Sequence, residues 1–492
     1  MKSLLIVGGG ISGLVLAATL KDDYKITLVE RNDHVGGRIH SMKNYECGAY
    51  RIHRSHERVF ALAKRLGVAL EPWHLDYAYV GMKQPPFGDK KGAKNMTWWD
   101  VAAANNGLKV AEWEDMGSGY RGGTDVYSQA YPMDMEDKDG WYFAPEGLSS
   151  LVDGLVETIG KDVTIHLSTR LVECDNHLNV HFLARDPSIP TRKRYDKIIF
   201  ATSPLQVQHL SIMKTYGMPL VSAVQWEPLH RIYAKVRGLD GRPWPAKGLD
   251  GRPWPAKGLT RRELRVLEKT KIISPSLLGQ TLGVPPMRGK SHLPIIQVAY
   301  CEGQVARFWQ DLILSKGHEA FVKRLTQEVN EVLSLFFDRK VDVRLTDVDS
   351  HYWSEAVHGW WAAFGKGHDE TLAVLKQDKV YLANEALSYN QGWIEGSLES
   401  VERMLGFFEG EATGLPRYTL KDLETLKAKG KEYVVLDGRV LDVGKWKAVH
   451  PGSTKAIDNH LYEDISTLWH VIHAHYSDAW RQVLPLQIGW LK

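Results

Sequence analysis

The sequence has few of the features that mark disulfide-rich, nucleic-acid-binding, secreted or membrane-spanning proteins. Its three cysteines, Cys47, Cys174 and Cys301, are spread over 492 residues, which argues against a disulfide framework or a zinc site. The formal net charge is only +3, and without a basic run or tail nucleic-acid binding is not indicated. There is no apolar run of membrane-spanning length and no signal-peptide cleavage site near the N-terminus. These absences predict a cytoplasmic protein without a membrane anchor.

The chain is long enough for several domains. A seam rich in Gly and Pro, "GEATGLPRY" at 410–418, precedes a compact module of about 75 residues. The ten residues "GLDGRPWPAK" occur at 238–247 and again, unchanged, at 248–257. Gly, Pro and Asp-Gly indicate a surface loop, and we assign this duplication no function.

The N-terminus has the pattern of a nucleotide-binding βαβ unit. "LLIV" predicts a strand, "GLVLAATLK" a helix and "KITLVE" a second strand. Gly8, Gly10 and Gly13 form G-x-G-x-x-G between the first strand and the helix. They allow a tight turn, close approach of a pyrophosphate, and packing of the helix on the sheet. Glu30 ends the second strand, where a carboxylate can bind ribose hydroxyls.

Hydrophobic spacing predicts further elements. We expect a helix through "HERVFALAKRLG" that stops at Gly67, a helix after "APEG", and a long amphipathic helix through "HEAFVKRLTQEVNEVLSLFF". Strands are predicted at "VTIHLSTRLVECDNHLNVHF", "YDKIIFATSP" and "KVYLANEALS", with a helix from about Gly396. Strands and helices in this order are typical of an α/β fold.

Three separate segments resemble the flavin-containing amine oxidase family. "ERNDHVGGRIHS" carries a second glycine pair and an arginine, "YDKIIFATSP" resembles a strand of the FAD domain, and "YLANEALSYNQGWIEGSLES" resembles the C-terminal flavin signature. The residue before Glu385 is usually glycine in the family and is Asn384 here. Besides the first motif and Glu30, the resemblance implies FAD contacts from Gly37, Arg38, Gly48, Ala49, Val172 and Glu385.

The resemblance also implies a domain organisation. A Rossmann-type FAD-binding domain, discontinuous over 1–60, 140–215 and 375–412, is expected to hold an inserted mixed-sheet substrate domain over 61–139 and 216–374. The remaining residues, 416–492, are expected to form a small α+β domain.

The substrate is indicated by "ECGAYRIHRSH". Arg51 lies where L-amino-acid oxidases, including bacterial L-tryptophan oxidases, place the arginine that binds the substrate carboxylate. A guanidinium makes two parallel charge-assisted bonds to a carboxylate, a geometry that lysine does not reproduce. "VAYCEGQVARFW" resembles the strand whose tyrosine, here Tyr300, shares that carboxylate. The alternatives are a surface ion pair for Arg51 and a plain core position for Tyr300.

Two further positions concern the flavin ring. The family commonly has a lysine that holds water near the reactive nitrogen; in "EPLHRIYAKV" that position is Arg231, and Lys235 lies four residues on. Arginine does not lose its proton. This difference from the family therefore argues against rapid reaction of reduced FAD with oxygen. Trp393 is the expected aromatic wall of the substrate site, with Trp353, Trp360 and Trp361 as further candidates.

The C-terminal module resembles cytochrome b5. The "YTL" opening, "VVLDGRVLDVGKW", "HPG" and the closing "HYSDAWRQVLPLQIGWL" occur in the order of that family. The resemblance implies a b-type haem (heme b) held by His450 and His475 in an apolar slot; His473 is an alternative to His475. Two imidazole ligands favour electron transfer over oxygen binding. The family usually has a second glycine after His-Pro-Gly, and here that residue is Ser453.

Together these motifs predict FAD-dependent oxidative deamination of an L-amino acid, aromatic ones included, to an imino acid and then a 2-oxo acid. Ammonia and hydrogen peroxide would be the other products. The expected partners are an amine or amino-acid substrate and either oxygen or a redox partner as acceptor, with electron transfer to the fused haem as one route. A polyamine or monoamine oxidase, and a flavin–haem electron-transfer protein without amino-acid turnover, stay open, as does the oligomeric state.

Overall fold

The computed structural model describes most of the chain. The described residues are 1–81, 99–100, 103–104, 107–109, 111, 139–216, 224–237, 258–284, 287, 295–360, 376–377, 380–388, 390–412, 416–436, 438–450, 452–473 and 482–491. The strands are β1 (Lys2–Val7), β2 (Tyr24–Val29), β3 (Ile52–His53), β4 (Glu71–Pro72), β5 (Asp76–Tyr79), β6 (Trp141–Phe143), β7 (Thr164–His166), β8 (Thr169–Cys174), β9 (Asn179–Ala184), β10 (Arg192–Arg194), β11 (Lys197–Phe200), β12 (Val224–Arg237), β13 (Thr270–Ile273), β14 (Gln280–Gly283), β15 (Ile295–Glu302), β16 (Arg344–Trp360), β17 (Lys376–Gln377), β18 (Val380–Leu382), β19 (Arg417–Tyr418), β20 (Tyr433–Leu436), β21 (Arg439–Asp442) and β22 (Gln487–Leu491). The helices are α1 (Ile11–Leu20), α2 (Glu57–Leu66), α3 (Ser149–Ile159), α4 (Pro204–Val207), α5 (Ser211–Tyr216), α6 (Arg261–Leu267), α7 (Gly303–Phe336), α8 (Ile394–Ala412), α9 (Leu420–Ala428), α10 (Thr454–Asp458) and α11 (Ser466–His473).

The first sheet has β1 at its centre. Its described strands lie in the order β17-β18-β11-β1-β2-β7, and β1 pairs in parallel with β2 and β11. Leu4, Leu5 and Ile6 are fully buried, because both faces of this parallel sheet are covered. The βαβ unit predicted from the sequence is therefore confirmed, and its glycine turn lies at the carboxyl end of the central strand.

The second large sheet has the order β16-β12-β15-β14-β13-β5, and α7 packs against it. The predicted long helix, from His318, is the second of two helical segments of α7, and the first segment was not predicted. Tyr300 lies in β15, but the chain turns helical at Gly303, so "GQVARFW" is not part of the strand. Ala306 and Trp309 are three apart and both fully buried, which places them on one helical face. Gly317, with φ +81°, interrupts α7.

Two smaller sheets complete the N-terminal part. β3, β6 and β4 form one, and β8, β9 and β10 form the other. The pairing of β8 with β9 shifts between Leu171 and Glu173, so Val172 lies at a β-bulge. The helix predicted to stop at Gly67 does so, since this residue has φ +69° and caps α2.

The C-terminal module contains the sheet β19-β22-β21-β20 and the helices α9 to α11. α8 runs to Ala412, past the start of the predicted seam at 410, and 413–415 lie outside the described residues. Among the described helices, none is both long and apolar enough to cross a membrane. The three cysteines are free and buried. Burial raises the pKa of both the Cys47 and the Cys174 thiol to about 12, which keeps them in the unreactive protonated form.

Candidate active site

The glycine turn between β1 and α1 leaves an open surface at the N-terminus of the helix. A Cβ on Gly8, which has φ +111°, would lie 2.6 Å from the Ala201 carbonyl oxygen, and one on Gly13 would lie 2.0 Å from the Gly8 oxygen. A Cβ on Gly10 would meet nothing within 4 Å. α1 has no side-chain cap and no acidic residue in its first turn. Its N–H groups and dipole therefore suit the pyrophosphate of a dinucleotide.

Glu30 lies beside this turn. It is 7% exposed, and its carboxylate accepts hydrogen bonds from the backbone N–H of Gly9 (2.8 Å) and of Asn32 (2.9 Å). Its lone pairs are numerous enough to accept ribose hydroxyls as well. The Thr169 N–H donates to the Glu30 carbonyl (2.8 Å). The start of β8 therefore lies beside Glu30, and the bulge at Val172 follows three residues later. Main-chain contact of Val172 with adenine fits this placement.

The second glycine pair packs against the first. The Gly36 N–H donates to the Gly9 carbonyl (2.8 Å), and a Cβ on Gly37 would lie 3.3 Å from the Gly10 Cα. Arg38 then forms an ion pair with Glu385, which is 2% exposed. The fold thus joins the N-terminal and C-terminal flavin motifs, although 347 positions separate them in the chain.

Gly48 and Ala49 extend this arrangement towards Arg51. The Ala49 N–H donates to the Arg38 carbonyl (2.8 Å), and a Cβ on Gly48 would lie 1.9 Å from that same oxygen. Only glycine fits at residue 48 without moving the backbone. The cofactor motif and the segment that carries Arg51 are therefore fixed to each other.

Arg51 lies in the interior, with 5% of its surface exposed. Its guanidinium carbon lies 4.7 Å from the Trp141 ring centroid and 5.1 Å from that of Tyr50. Trp141 is fully buried and stacks on Trp393, with centroids 5.8 Å apart and planes at 27°. The alternative of a surface ion pair for Arg51 is excluded by this burial. Cation–π contacts of a desolvated arginine contribute about 2 kcal/mol.

Sequence reasoning missed part of this cluster. Trp141 comes next to Arg51 because β6 pairs with β3, a pairing across almost ninety residues. Two buried histidines, His53 and His56, contact Trp141 and Trp393 respectively, each with ring centroids 5.0 Å apart. The signal available in the sequence was the aromatic triplet at 141–143, which has no motif attached to it.

Arg231 and Tyr300 face each other on adjacent strands, β12 and β15. The Arg231 guanidinium carbon lies 5.2 Å from the Tyr300 ring centroid and 4.4 Å from that of Tyr50. Its Nη1 donates to the Gly48 carbonyl. The described contacts therefore link Tyr300 to Arg51 through Arg231 and Tyr50. The roles of Arg231 at the flavin and of Tyr300 at the carboxylate stay predictions.

Three successive carbonyls before Ala49 accept hydrogen bonds from the substrate sheet. The Tyr233 hydroxyl donates to residue 46 (2.6 Å), Trp353 Nε1 to residue 47 (3.2 Å) and Arg231 to residue 48. Trp353, a candidate wall, is thus tied to the main chain of this segment. Trp361 and the side chain of Trp360 lie outside the described residues.

In the C-terminal module, His450 ends a short 3-10 helix, Trp446–Val449. Its Nδ1 lies 3.2 Å from the Ser453 carbonyl oxygen. When Nδ1 donates to that oxygen, Nε2 carries the lone pair that a haem iron needs. Val449 is 71% exposed, as are Leu468 and Ile472 to 36% and 53%, which fits apolar side chains that a haem would cover. Trp469, between Leu468 and Ile472 in the chain, belongs to the module's core.

The second expected ligand is not placed. His475 lies outside the described residues, as do the side chain of His473 and the duplicated segment 238–257. Of the predicted pair, only His450 lies within the described residues, and its role as an axial ligand stays a prediction.

Three family models match the chain. One described as flavin containing amine oxidoreductase matches residues 118–403, one described as NAD(P)-binding Rossmann-like domain matches 6–66, and one described as cytochrome b5-like heme/steroid binding domain matches 419–492. These matches confirm the predicted fold class, with its Rossmann-type, amine oxidase and cytochrome b5-like parts. At the level of these families they also confirm FAD and haem as cofactors.

The curated relatives match over short segments. An L-amino-acid oxidase of Siganus canaliculatus is 39% identical over 80 residues, 15% of this chain and 15% of that protein. Probable polyamine oxidase 4 of Arabidopsis thaliana is 39% identical over 75 residues, 14% and 15% of the two chains. Amine oxidase [flavin-containing] A of Sus scrofa is 31% identical over 128 residues, 24% and 23%. The chain thus matches less than a quarter of the length of each of these relatives.

Solved structures match over most of the chain. A putrescine oxidase has a TM-score of 0.61 at 12% identity and covers 83% of this chain and 99% of its own. Cyclohexylamine oxidase from Brevibacterium oxydans has a TM-score of 0.58 at 15% identity and covers 84% and 99%. At these identities the likeness shows the fold alone.

Proposed function

Because the chain belongs to the family of flavin containing amine oxidoreductases, we propose that it is an FAD-dependent oxidase of L-amino acids, with aromatic ones as the leading candidates. The amino acid loses two electrons and two protons to become an imino acid. Water then converts the imino acid to ammonia and a 2-oxo acid. With oxygen as acceptor, those electrons and protons form hydrogen peroxide.

The observation that carries this proposal is the burial of Arg51 beside Trp141. A cation held among aromatic rings gains most from a partner of opposite charge, because the medium around it screens little. The guanidinium would bind the substrate carboxylate through two parallel hydrogen bonds. Amines without a carboxylate gain nothing from such a group.

The surrounding residues orient the substrate. Bound FAD would supply the hydride acceptor for the α-carbon. With the carboxylate fixed at Arg51, the α-carbon is restricted to a small region beside the stacked Trp141 and Trp393. These rings exclude water and favour the neutral form of the substrate amine, from which hydride leaves most easily. Arg38, Glu385 and the glycine turns hold the cofactor end of the site.

The test compares Arg51 variants over a panel of L-amino acids and amines, with flavin content measured for each protein. Breaking a desolvated charge pair costs 2–5 kcal/mol. We therefore expect Arg51→Ala to lower kcat/KM for L-amino acids at least about thirtyfold and Arg51→Lys at least about tenfold. Arg54→Ala is the matched control, since Arg54 is exposed and three residues away; it should stay within about twofold. Full activity of Arg51→Ala would contradict the proposal.

That outcome would favour the second candidate, oxidation of a polyamine or monoamine. Several relatives are polyamine oxidases, which supports this candidate. Absence of turnover on the whole panel, with FAD bound, would instead favour a flavin–haem electron-transfer protein.

The fused module suggests a second acceptor besides oxygen. Arg231 stands where the family commonly has the lysine that holds water near the flavin, so oxygen is expected to react less rapidly and electron transfer to the haem becomes an alternative route. Tethering also raises the effective concentration of haem near the flavin. Anaerobic mixing with substrate should bleach the flavin and then reduce the haem. In His450→Ala the flavin should bleach without a haem signal. A haem that stays oxidised in the parent protein would contradict this route.

A further inference from the structure

One buried carboxylate lies where the starts of two helices meet. Glu395 is the second residue of α8, and 2% of it is exposed. Its carboxylate accepts hydrogen bonds from two backbone N–H groups in the first turn of α2, those of Arg58 (3.3 Å) and Val59 (3.1 Å). It also accepts from Arg58 Nη1 (3.0 Å). Both helices have the positive end of their dipole here, which favours a negative charge at this position.

α2 depends on Glu395 for its cap. Among the described contacts, His56, the residue before the helix, does not cap α2 with its own side chain. Its Nδ1 atom accepts the His53 N–H instead (3.2 Å), and its own N–H donates to the His53 carbonyl (2.9 Å). The Glu395 carboxylate thus takes the place that a Ser, Thr, Asp or Asn side chain usually holds at a helix start. A cap from a distant segment fixes α2 to α8.

The start of α2 is joined to Arg51 by a short turn. Ile52 and His53 form β3, and the two hydrogen bonds between His53 and His56 close the turn directly before the helix. β3 is only two residues long, so its pairing with β6 holds this segment from one side only. The position of Arg51 therefore also depends on where α2 begins.

The same end of α8 carries the aromatic wall. Trp393 directly precedes α8, and its carbonyl accepts the N–H groups of Gly396 (3.2 Å) and Ser397 (3.4 Å). Its ring contacts His56, with centroids 5.0 Å apart. The flavin signature is thus joined to the segment 51–56 at two points, through Glu395 and through Trp393. Such placement matters, because displacement of a binding group by about 1 Å can lower a rate about a hundredfold.

We propose that Glu395 is a positioning residue, which caps α2 and so holds Arg51 in place for the substrate carboxylate. The proposal rests on the proposed function, because it takes Arg51 as the carboxylate-binding residue. Glu395 acts through the helix and not by contact with the substrate. Its charge is the essential feature, because that charge faces two helix starts and the guanidinium of Arg58.

The test measures the binding of two ligands to the FAD-loaded protein by titration calorimetry. 3-Phenylpropionate has the carboxylate of an aromatic amino acid without the amine, and 3-phenylpropionamide has a similar shape without the charge. The parent protein should bind the acid about thirtyfold more tightly than the amide. Glu395→Gln keeps the size of the side chain and one acceptor oxygen but removes the charge, and should lower this ratio about tenfold.

Glu402→Gln is the matched control. Glu402 accepts a hydrogen bond from Nε of the same arginine, Arg58 (2.8 Å), but its side chain is exposed and it caps no turn of α2 in the described structure. The ratio of the two affinities in Glu402→Gln should stay within about twofold of the parent. A ratio in Glu395→Gln equal to that of the parent would overturn the proposal.

A double-mutant cycle separates positioning from a general loss of stability. In Arg51→Ala, addition of Glu395→Gln should change the affinity for the acid less than about twofold, because the effect passes through Arg51. An equal loss in both backgrounds would overturn the proposal. If no amino acid is oxidised but the ratio falls in Glu395→Gln, the proposed function fails and the role of Glu395 stands. Equal binding of both ligands by the parent protein would overturn both.

The parent protein offers a second measurement that needs no variant. Burial raises the pKa of Glu395 to about 7, despite its hydrogen bonds with Arg58. 3-Phenylpropionate is ionised throughout the range from pH 8.5 to pH 6, so its affinity should fall several-fold over this range while that of the amide stays level. The other charged or titratable groups around this contact are Arg58, Glu399, Glu402 and His56. Protonation of a neighbouring histidine would add positive charge and raise the affinity for the acid instead. A ratio that stays level or rises towards pH 6 would overturn the proposal.

Discussion

Replacement of Ser453 by glycine should stabilise the C-terminal module. Ser453 follows His-Pro-Gly and has φ +84° and ψ 154°, a conformation that is essentially restricted to glycine and costs other residues about 1–3 kcal/mol. Glycine removes this strain but raises the entropy of the unfolded chain, at a cost of about 0.5–1 kcal/mol. The expected net gain is about 1 kcal/mol. The contact with the His450 Nδ1 atom uses the main-chain carbonyl oxygen of Ser453 and not its side chain, so glycine retains it.

The measurement is urea unfolding of the full chain, followed by the haem absorption band and by hydrogen exchange of peptides from 454–473. For a small domain with an m-value of about 1 kcal/mol per M, the urea midpoint should rise by about 1 M. Ser453→Ala is the matched control: it keeps the Cβ and the strain, so its midpoint should not rise. A midpoint for Ser453→Gly at or below that of the parent would refute the reasoning from backbone strain.

Two further predictions concern buried charge in the amine oxidase part. His230 is fully buried, and burial lowers its pKa from 6.5 to about 4. Because the pKa is lower in the folded protein, the contribution of His230 to the free energy of unfolding is fully present above about pH 6.5. This contribution is lost as the pH falls towards 4. Because of this residue, the free energy of unfolding should fall by about 2 kcal/mol from pH 7.5 to pH 5. Urea unfolding of His230→Asn should show a correspondingly smaller fall. The same pH dependence in the variant and the parent would contradict a lowered pKa of His230. Glu395, 2% exposed, accepts hydrogen bonds from Arg58 Nη1 (3.0 Å) and from the Val59 N–H (3.1 Å). Glu395→Ala should therefore cost about 3 kcal/mol, because the largely buried Arg58 loses its buried partner and the Val59 N–H loses its acceptor. The exposed partner of the same arginine, Glu402, is the control: Glu402→Ala should cost less than about 1 kcal/mol, and equal losses in the two variants would count against this account.

The sequence alone determined the local architecture. "LLIVGGGISG" gives strand, turn and helix because an apolar run, glycines and helical spacing follow in order, and each is a local property. The two flavin motifs and the cytochrome b5-like pattern could be identified for the same reason. The long helix predicted from His318 begins there, after the break at Gly317, but the helical segment from Gly303 was not predicted. Ala306 and Trp309 bury a helical face that the sequence did not distinguish from a strand. The domain limits and the site roles stay predictions.

Only the tertiary structure decided what surrounds Arg51. Trp141 reaches it through the pairing of β3 with β6, and Arg231 and Tyr300 reach the neighbouring Tyr50 through the pairing of β12 with β15. Such pairings depend on which apolar faces of distant segments bury each other, and no short motif records that choice. The residue types that carry chemistry can be read from the sequence, whereas long-range packing determined which of them meet.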